Sequence, residues 1–111
     1  MIFIESARGI DNLEAMLQVG GLDVAWVGHN DLSSSLGIPG EFNHPRYLQA
    51  TDHLLDLCRR YGCTPAATSA DPQSAVALLR RGFRLIAYGT DIGLLQRALG
   101  EGLRELRAAA G

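Results

Sequence analysis

The sequence contains no lysine, and all ten of its basic residues are arginine. A biased source genome is a sufficient cause, but the chemical consequence holds whatever the cause. No side chain here can form an imine with a carbonyl substrate, and none can act as a phosphate-loop lysine. Cysteine is scarce too. Cys58 and Cys63 stand alone, not in a C-x-x-C pattern, with no histidine beside them at ligand spacing. They read as two reduced, partly buried thiols of a cytoplasmic protein. Nothing approaches the roughly 18 consecutive apolar residues of a membrane span. Glu5 interrupts the apolar start too early for a secretory leader. An excess of positive charge is also missing. With 12 acidic and 10 basic side chains the net charge is -2, which supplies no basic field for nucleic acid or an anionic membrane.

What remains is an ordinary globular chain of 111 residues, 47% hydrophobic and 20% charged. It suits a single domain over residues 1–111. The pattern alternates. Residues 1–4 (MIFI) are a short apolar run rich in strand formers, and a helix follows over about 9–18. Its apolar residues Ile10, Leu13, Met16 and Leu17 share one face, and Gly20-Gly21 ends it. A second strand spans about 23–28 (DVAWVG), then a loop and a short helical turn closed at Gly37, and a turn at Pro39-Gly40. His44-Pro45 opens a long helix to about Tyr61, with Leu48, Leu54, Leu55, Leu57 and Cys58 as core candidates and Gly62 as its cap. A third strand covers about 64–68. Asp71-Pro72 starts a helix that ends at Gly82. A fourth strand covers about 84–88, and Thr90 or Asp91 caps a last helix to about Ala109.

This is (βα)4, an α/β chain with parallel strands and right-handed crossovers. MIFI, VAWV and LIAY are apolar throughout rather than alternating. That is the signature of strands covered on both faces.

In parallel α/β folds the working residues stand at the carboxyl ends of strands. That rule selects Glu5 and Ser6, then Gly28, His29, Asn30 and Asp31, then Thr68, Ser69 and Asp71, and finally Gly89, Thr90 and Asp91. Glu5 and Asp31 lie on neighbouring strand ends. Two converging carboxylates make a hard-oxygen site for Mg²⁺ or Mn²⁺. The alternative is structural: Glu5 caps the first helix and Asp31 caps the short DLSSSLG helix. The backbone amides of Asn30 and Asp31, at a helix start, are also placed to hold a substrate carboxylate.

The segments IES with the following Asn12-Leu13, GLDVAWVGHNDLSSSLGIPG, His44-Pro45 and GFRLIAYGTDIGLL carry a family resemblance. Together they resemble the C-terminal half of the HpcH/HpaI aldolases, the metal-dependent pyruvate aldolases of the phosphoenolpyruvate/pyruvate (β/α)8-barrel superfamily. The resemblance covers nearly the whole chain and implies the last four βα units of a TIM barrel. It implies that Glu5 and Asp31, 26 residues apart (31 minus 5), are the two protein ligands of a divalent metal. Mg²⁺ is the first expectation, with Mn²⁺ and Co²⁺ as alternatives. The amides of Asn30 and Asp31 then hold the carboxylate of pyruvate, and the metal polarises its keto oxygen. The implied activity is a carbon–carbon lyase reaction, cleaving a 4-hydroxy-2-oxo acid reversibly to pyruvate and an aldehyde.

The chain departs from the family pattern in places. His29 replaces a common proline, and it is either a third ligand or base, or a spacer with its ring toward solvent. Phe3 stands where some members have glutamine. The family's catalytic arginine and its His–Asp base pair belong to earlier strands, so no catalytic residue is identified in this chain. Arg8, His44, Asp52 and His53 are not substitutes, because they fall at ordinary helix positions.

The resemblance also implies association, as a homo-oligomer that exchanges its last helix or through a complementary N-terminal half. In the last helix Leu94, Leu95, Leu99, Leu103 and Leu106 form an apolar stripe, which packs either on its own sheet or on a neighbour. Three other readings stay open: a catalytically inactive half-barrel, a citrate lyase β-like or malyl-CoA lyase-like enzyme, and a small doubly wound binding module. The module requires strand order 2-1-3-4, and the half-barrel requires 1-2-3-4.

Overall fold

The computed structural model describes residues 1–111. Its elements are β1 (Ile2–Ile4), α1 (Ala7–Gln18), β2 (Val24–Val27), α2 (His29–Ser35), α3 (Pro45–Tyr61), β3 (Thr64–Ser69), α4 (Pro72–Arg81), β4 (Leu85–Tyr88) and α5 (Asp91–Ala109). All four strands pair in parallel in the order β1-β2-β3-β4. The sequential order removes the doubly wound module, in which the chain reverses across the sheet.

The helix starts follow the capping chemistry of the sequence. Ser6, Asp71 and Thr90 each accept a hydrogen bond from the backbone N–H three residues on. Of the two candidates for α5, Thr90 is therefore the cap. The Asp91 carboxylate accepts instead from the N–H of Ile92. His44 caps α3 through Nδ1, which accepts from the Arg46 N–H. At the other end of α3 the backbone must turn left-handed, and Gly62 does so with φ +69°. The Cys63 N–H then donates back to the Cys58 carbonyl at 2.9 Å.

Strand pleating divides the side chains. Ile4, Ala25, Val27 and Ala67 point to the helices and join a core with Leu13 and Leu17 of α1 and Leu54, Leu55, Leu57 and Cys58 of α3. Of the expected core residues, Met16 and Leu48 are only half-buried. Tyr47, Ala50 and Thr51 are buried in addition. Both cysteines are buried and unpaired, a deeper placement than the sequence suggested. Burial, and then the neighbouring Cys63, push the Cys58 thiol up to about 12, so it is not a thiolate near neutral pH.

The opposite face of the sheet carries no helix. Phe3 is 54% exposed and stacks on Trp26 with ring centroids 5.5 Å apart. The Trp26 Nε1–H donates to Thr68 Oγ1 across the same face. The continuous apolar strands are thus covered on one face only within this chain. Helix α5 buries no residue, and Leu95, Leu99 and Leu106 are well exposed. The stripe therefore does not pack on its own sheet. No helix is long and apolar enough to cross a membrane.

Asp71 gives a pH-dependent test of this architecture. The backbone N–H and hydroxyl of Ser74 hold its carboxyl below the ordinary aspartate range. A depressed carboxyl stabilises the fold fully above the unfolded value and stops doing so as pH falls through the folded one. Replacing Asp71 by asparagine keeps a capping oxygen but removes the titration. Urea midpoints measured from about pH 7 to about pH 2 are expected to fall less steeply for Asp71→Asn than for the parent.

Candidate metal and substrate site

The register of β1 and β2 sets the site. Ile4 lies opposite Val27, and the Gly28 N–H extends the ladder by donating to the Ile4 carbonyl at 3.0 Å. The next residues along, Glu5 and Gly28, are therefore neighbours at the strand ends. The Glu5 side chain lies over the glycine. A Cβ at position 28 would stand 2.6 Å from Glu5 Cγ and 3.1 Å from Glu5 Oε1. This is a close approach that only glycine permits.

Helix α2 begins directly after Gly28. Gly28 is its N-cap residue and supplies no side-chain hydrogen bond. Asp31 is the only acid in its first turn. Both structural alternatives for the two acids therefore fail. Asp31 is not the N-cap, and Ser6 rather than Glu5 caps α1. Neither carboxylate accepts a hydrogen bond or joins an ion pair, and both residues are exposed. Two oxygen-donor side chains without partners, one of them pressed against a glycine at a strand end, fit a hard divalent cation completed by substrate and water oxygens.

The remainder of α2 is held from below. Buried Ser33 donates to the Asn30 carbonyl at 2.9 Å and accepts from the Gly40 N–H at 3.1 Å. Ser34 also donates to Asn30 O, and Ser35 Oγ accepts from the Ala7 N–H at the start of α1. These serines hold the Asn30–Asp31 turn in place and tie it to the helix that follows Glu5. They were not singled out from the sequence. Their only signal was the run of three hydroxyls three to five residues after Asn30.

His29 is half-buried and packs edge-on against Phe42, ring centroids 5.2 Å apart. It is not a spacer turned to solvent. No group of three or more His, Cys, Asp or Glu side chains is arranged to hold a metal. The other strand-end candidates are structural. Asp71 and Thr90 are caps, and Ser69 donates to the Asp71 carbonyl. Phe3 lies on the open sheet face behind Glu5, where an apolar ring replaces an amide.

Four sequential parallel strands with helices on one face, and acids at adjacent strand ends, define half of a (β/α)8 barrel with its site at the strand carboxyl ends. Residues 1–98 match the HpcH/HpaI aldolase/citrate lyase family, and the chain belongs to that family. It is 33% identical over 99 residues to 2-keto-3-deoxy-L-rhamnonate aldolase of Klebsiella pneumoniae subsp. pneumoniae, covering 89% of this chain and 37% of that protein. It is 30% identical over 98 residues to 5-keto-4-deoxy-D-glucarate aldolase of an Enterobacter species, covering 88% of this chain and 38% of the relative. The crystal structure of an HpcH/HpaI aldolase/citrate lyase family protein from Burkholderia cenocepacia J2315 superposes with a TM-score of 0.90 at 33% identity. That superposition covers 95% of this chain and 41% of the other. The chain thus spans about two-fifths of the length of the relatives it matches.

The Gly28 contact can be tested directly. Gly28 has φ -80°, so alanine is allowed by its backbone, and the clash falls on the flexible Glu5 side chain. Gly28→Ala is expected to keep the fold, changing stability by less than about 1.5 kcal/mol, while displacing Glu5. Unfolding curves and the Glu5 side-chain carboxyl chemical shift measure the two effects separately.

Proposed function

We propose that residues 1–111 are the last four βα units of a divalent-metal-dependent pyruvate aldolase, a carbon–carbon lyase. The reaction is reversible cleavage of a 4-hydroxy-2-oxo acid to pyruvate and an aldehyde. The observation that carries this reading is the pair of partnerless carboxylates, Glu5 laid over Gly28 and Asp31 in the uncapped first turn of α2. Family membership and the names of the relatives, both keto-deoxy acid aldolases, support it.

In this reading Glu5 and Asp31 hold the cation, with Mg²⁺ preferred by an all-oxygen donor set and Mn²⁺ or Co²⁺ as substitutes. When bound, the cation supplies Lewis-acid polarisation of the keto group of pyruvate. The amides of Asn30 and Asp31 orient the pyruvate carboxylate, in a turn held by Ser33 and Ser34. With no lysine in the chain, imine chemistry from these residues is excluded, which agrees with a metal-assisted route.

The residues that move the proton and stabilise developing charge are not in this chain. A complementary N-terminal half supplies them, and the isolated chain turns over little or no substrate. The open sheet face and the exposed leucines of α5 support association with that half and with further copies of the same chain. The two buried reduced thiols support a cytoplasmic setting.

Calorimetric titration of the chain with Mg²⁺ or Mn²⁺ in the presence of pyruvate tests the site. Glu5→Gln and Asp31→Asn are each expected to weaken binding by about tenfold or more. Parent-like affinity in both variants contradicts the assignment.

A further inference from the structure

A cavity lies on the strand-end side of the sheet, beside the Glu5–Asp31 site but not part of it. Its volume is about 370 Å³, within the range of small-molecule clefts. It opens between the α2–α3 loop, the start of α3, the end of β3 and one face of α4. One wall is aromatic. His29, Phe42 and Tyr47 pack edge to face in series, with centroids 5.2 and 5.5 Å apart.

The polar groups of the lining are unevenly matched. Arg81 uses only Nη2 within the protein, donating to the Leu48 carbonyl, Thr51 Oγ1 and Asp52 Oδ1. Its Nη1 and Nε have no partner. The Tyr47 hydroxyl, the Asn43 amide and the His29 ring likewise make no hydrogen bond, although all three residues line the cavity. The one carboxylate in the lining, Asp71, is already occupied, with Oδ1 accepting from the Ser74 N–H and Oδ2 from the Ser74 hydroxyl. Nη1 and Nε of Arg81, the Tyr47 hydroxyl and the Asn43 amide therefore stand as free donors at the cavity, and Arg81 is its one cationic group. Leu48, Ala77 and Leu78 supply an apolar floor.

We propose that this cavity binds a small aliphatic carboxylate, with one carboxylate oxygen on a free N–H of Arg81 (Nη1 or Nε), the other on Tyr47 or Asn43, and the chain against the Leu48–Leu78 floor. A carboxylate brings acceptors for these donors, and the hydrogen bond it takes from a guanidinium N–H is charge-assisted. The pairing of Arg81 Nη2 with Asp52 holds the guanidinium in position. The site involves neither Glu5 nor Asp31 and needs no metal.

The test is an NMR titration of the 111-residue chain with butyrate in metal-free buffer, with butyramide as the uncharged isostere. Butyrate is expected to shift the Arg81 Nε–H and Asn43 side-chain signals saturably, and butyramide is not. Ala77→Leu, on the exposed side of α4, fills the cavity with a good helix former and is expected to abolish the response. Arg81→Gln is expected to weaken it by about tenfold or more. Glu5→Gln is expected to leave it unchanged, so failure of the metal site and failure of this one are distinguishable. Absence of a saturable shift, an equal response to butyramide, or undiminished binding in Ala77→Leu overturns the proposal.

Discussion

The hydrogen bond from the Gly28 N–H to the Ile4 carbonyl, 3.0 Å long, is the constraint on which the site depends. It carries the β1–β2 ladder one step beyond the paired residues and so brings Glu5 and Gly28 side by side. The chain must then turn at once into α2, which leaves the first-turn amides uncapped and puts Asp31 one turn from the ladder. A residue larger than glycine at 28 would push the Glu5 side chain away. One backbone bond and one missing Cβ thus bring two acids 26 residues apart in sequence (31 minus 5) to adjacent strand ends. The serines of α2 keep them there.

The rest of the chain is a scaffold that finishes only one side of its own sheet. The helix-facing side has a closed core from Ile4 to Phe83. The other side leaves Phe3, Leu85 and Met1 exposed, and α5 carries its leucines into solvent. In a chain spanning about two-fifths of its relatives' length, these apolar faces are left without a covering element. Exposed apolar surface of this kind marks an interface.

Much of this was legible in the sequence. The alternation of apolar runs with helical stripes predicts all four strands and the five helices, and Asp71 and Thr90 mark two of the starts, whereas the Ser6 cap of α1 was not read as one. The apolar character of MIFI, VAWV and LIAY predicts burial on both faces, whereas only the helix-facing side is buried in this chain. The strand-end rule located Glu5 and Asp31 but left their role open, since an aspartate before a short helix looks like a cap. The helix start at Gly28 and the Ser6 cap of α1 remove the capping alternative. The cavity around Arg81 was not legible, because Arg81 meets Thr51 and Asp52 about thirty residues away in sequence. The exposure of α5 was not legible either, because its leucine stripe suits packing on its own sheet as well as on a neighbour.

The most direct measurement is paramagnetic mapping of the chain with substoichiometric Mn²⁺ and pyruvate. Broadening centred on the backbone signals of Glu5, Gly28 and Asp31, and competed away by Mg²⁺, is the predicted result. Broadening centred instead on other exposed acids, such as Asp11, Asp52 and Asp56 along α1 and α3, with Glu5 and Asp31 unaffected, would contradict it.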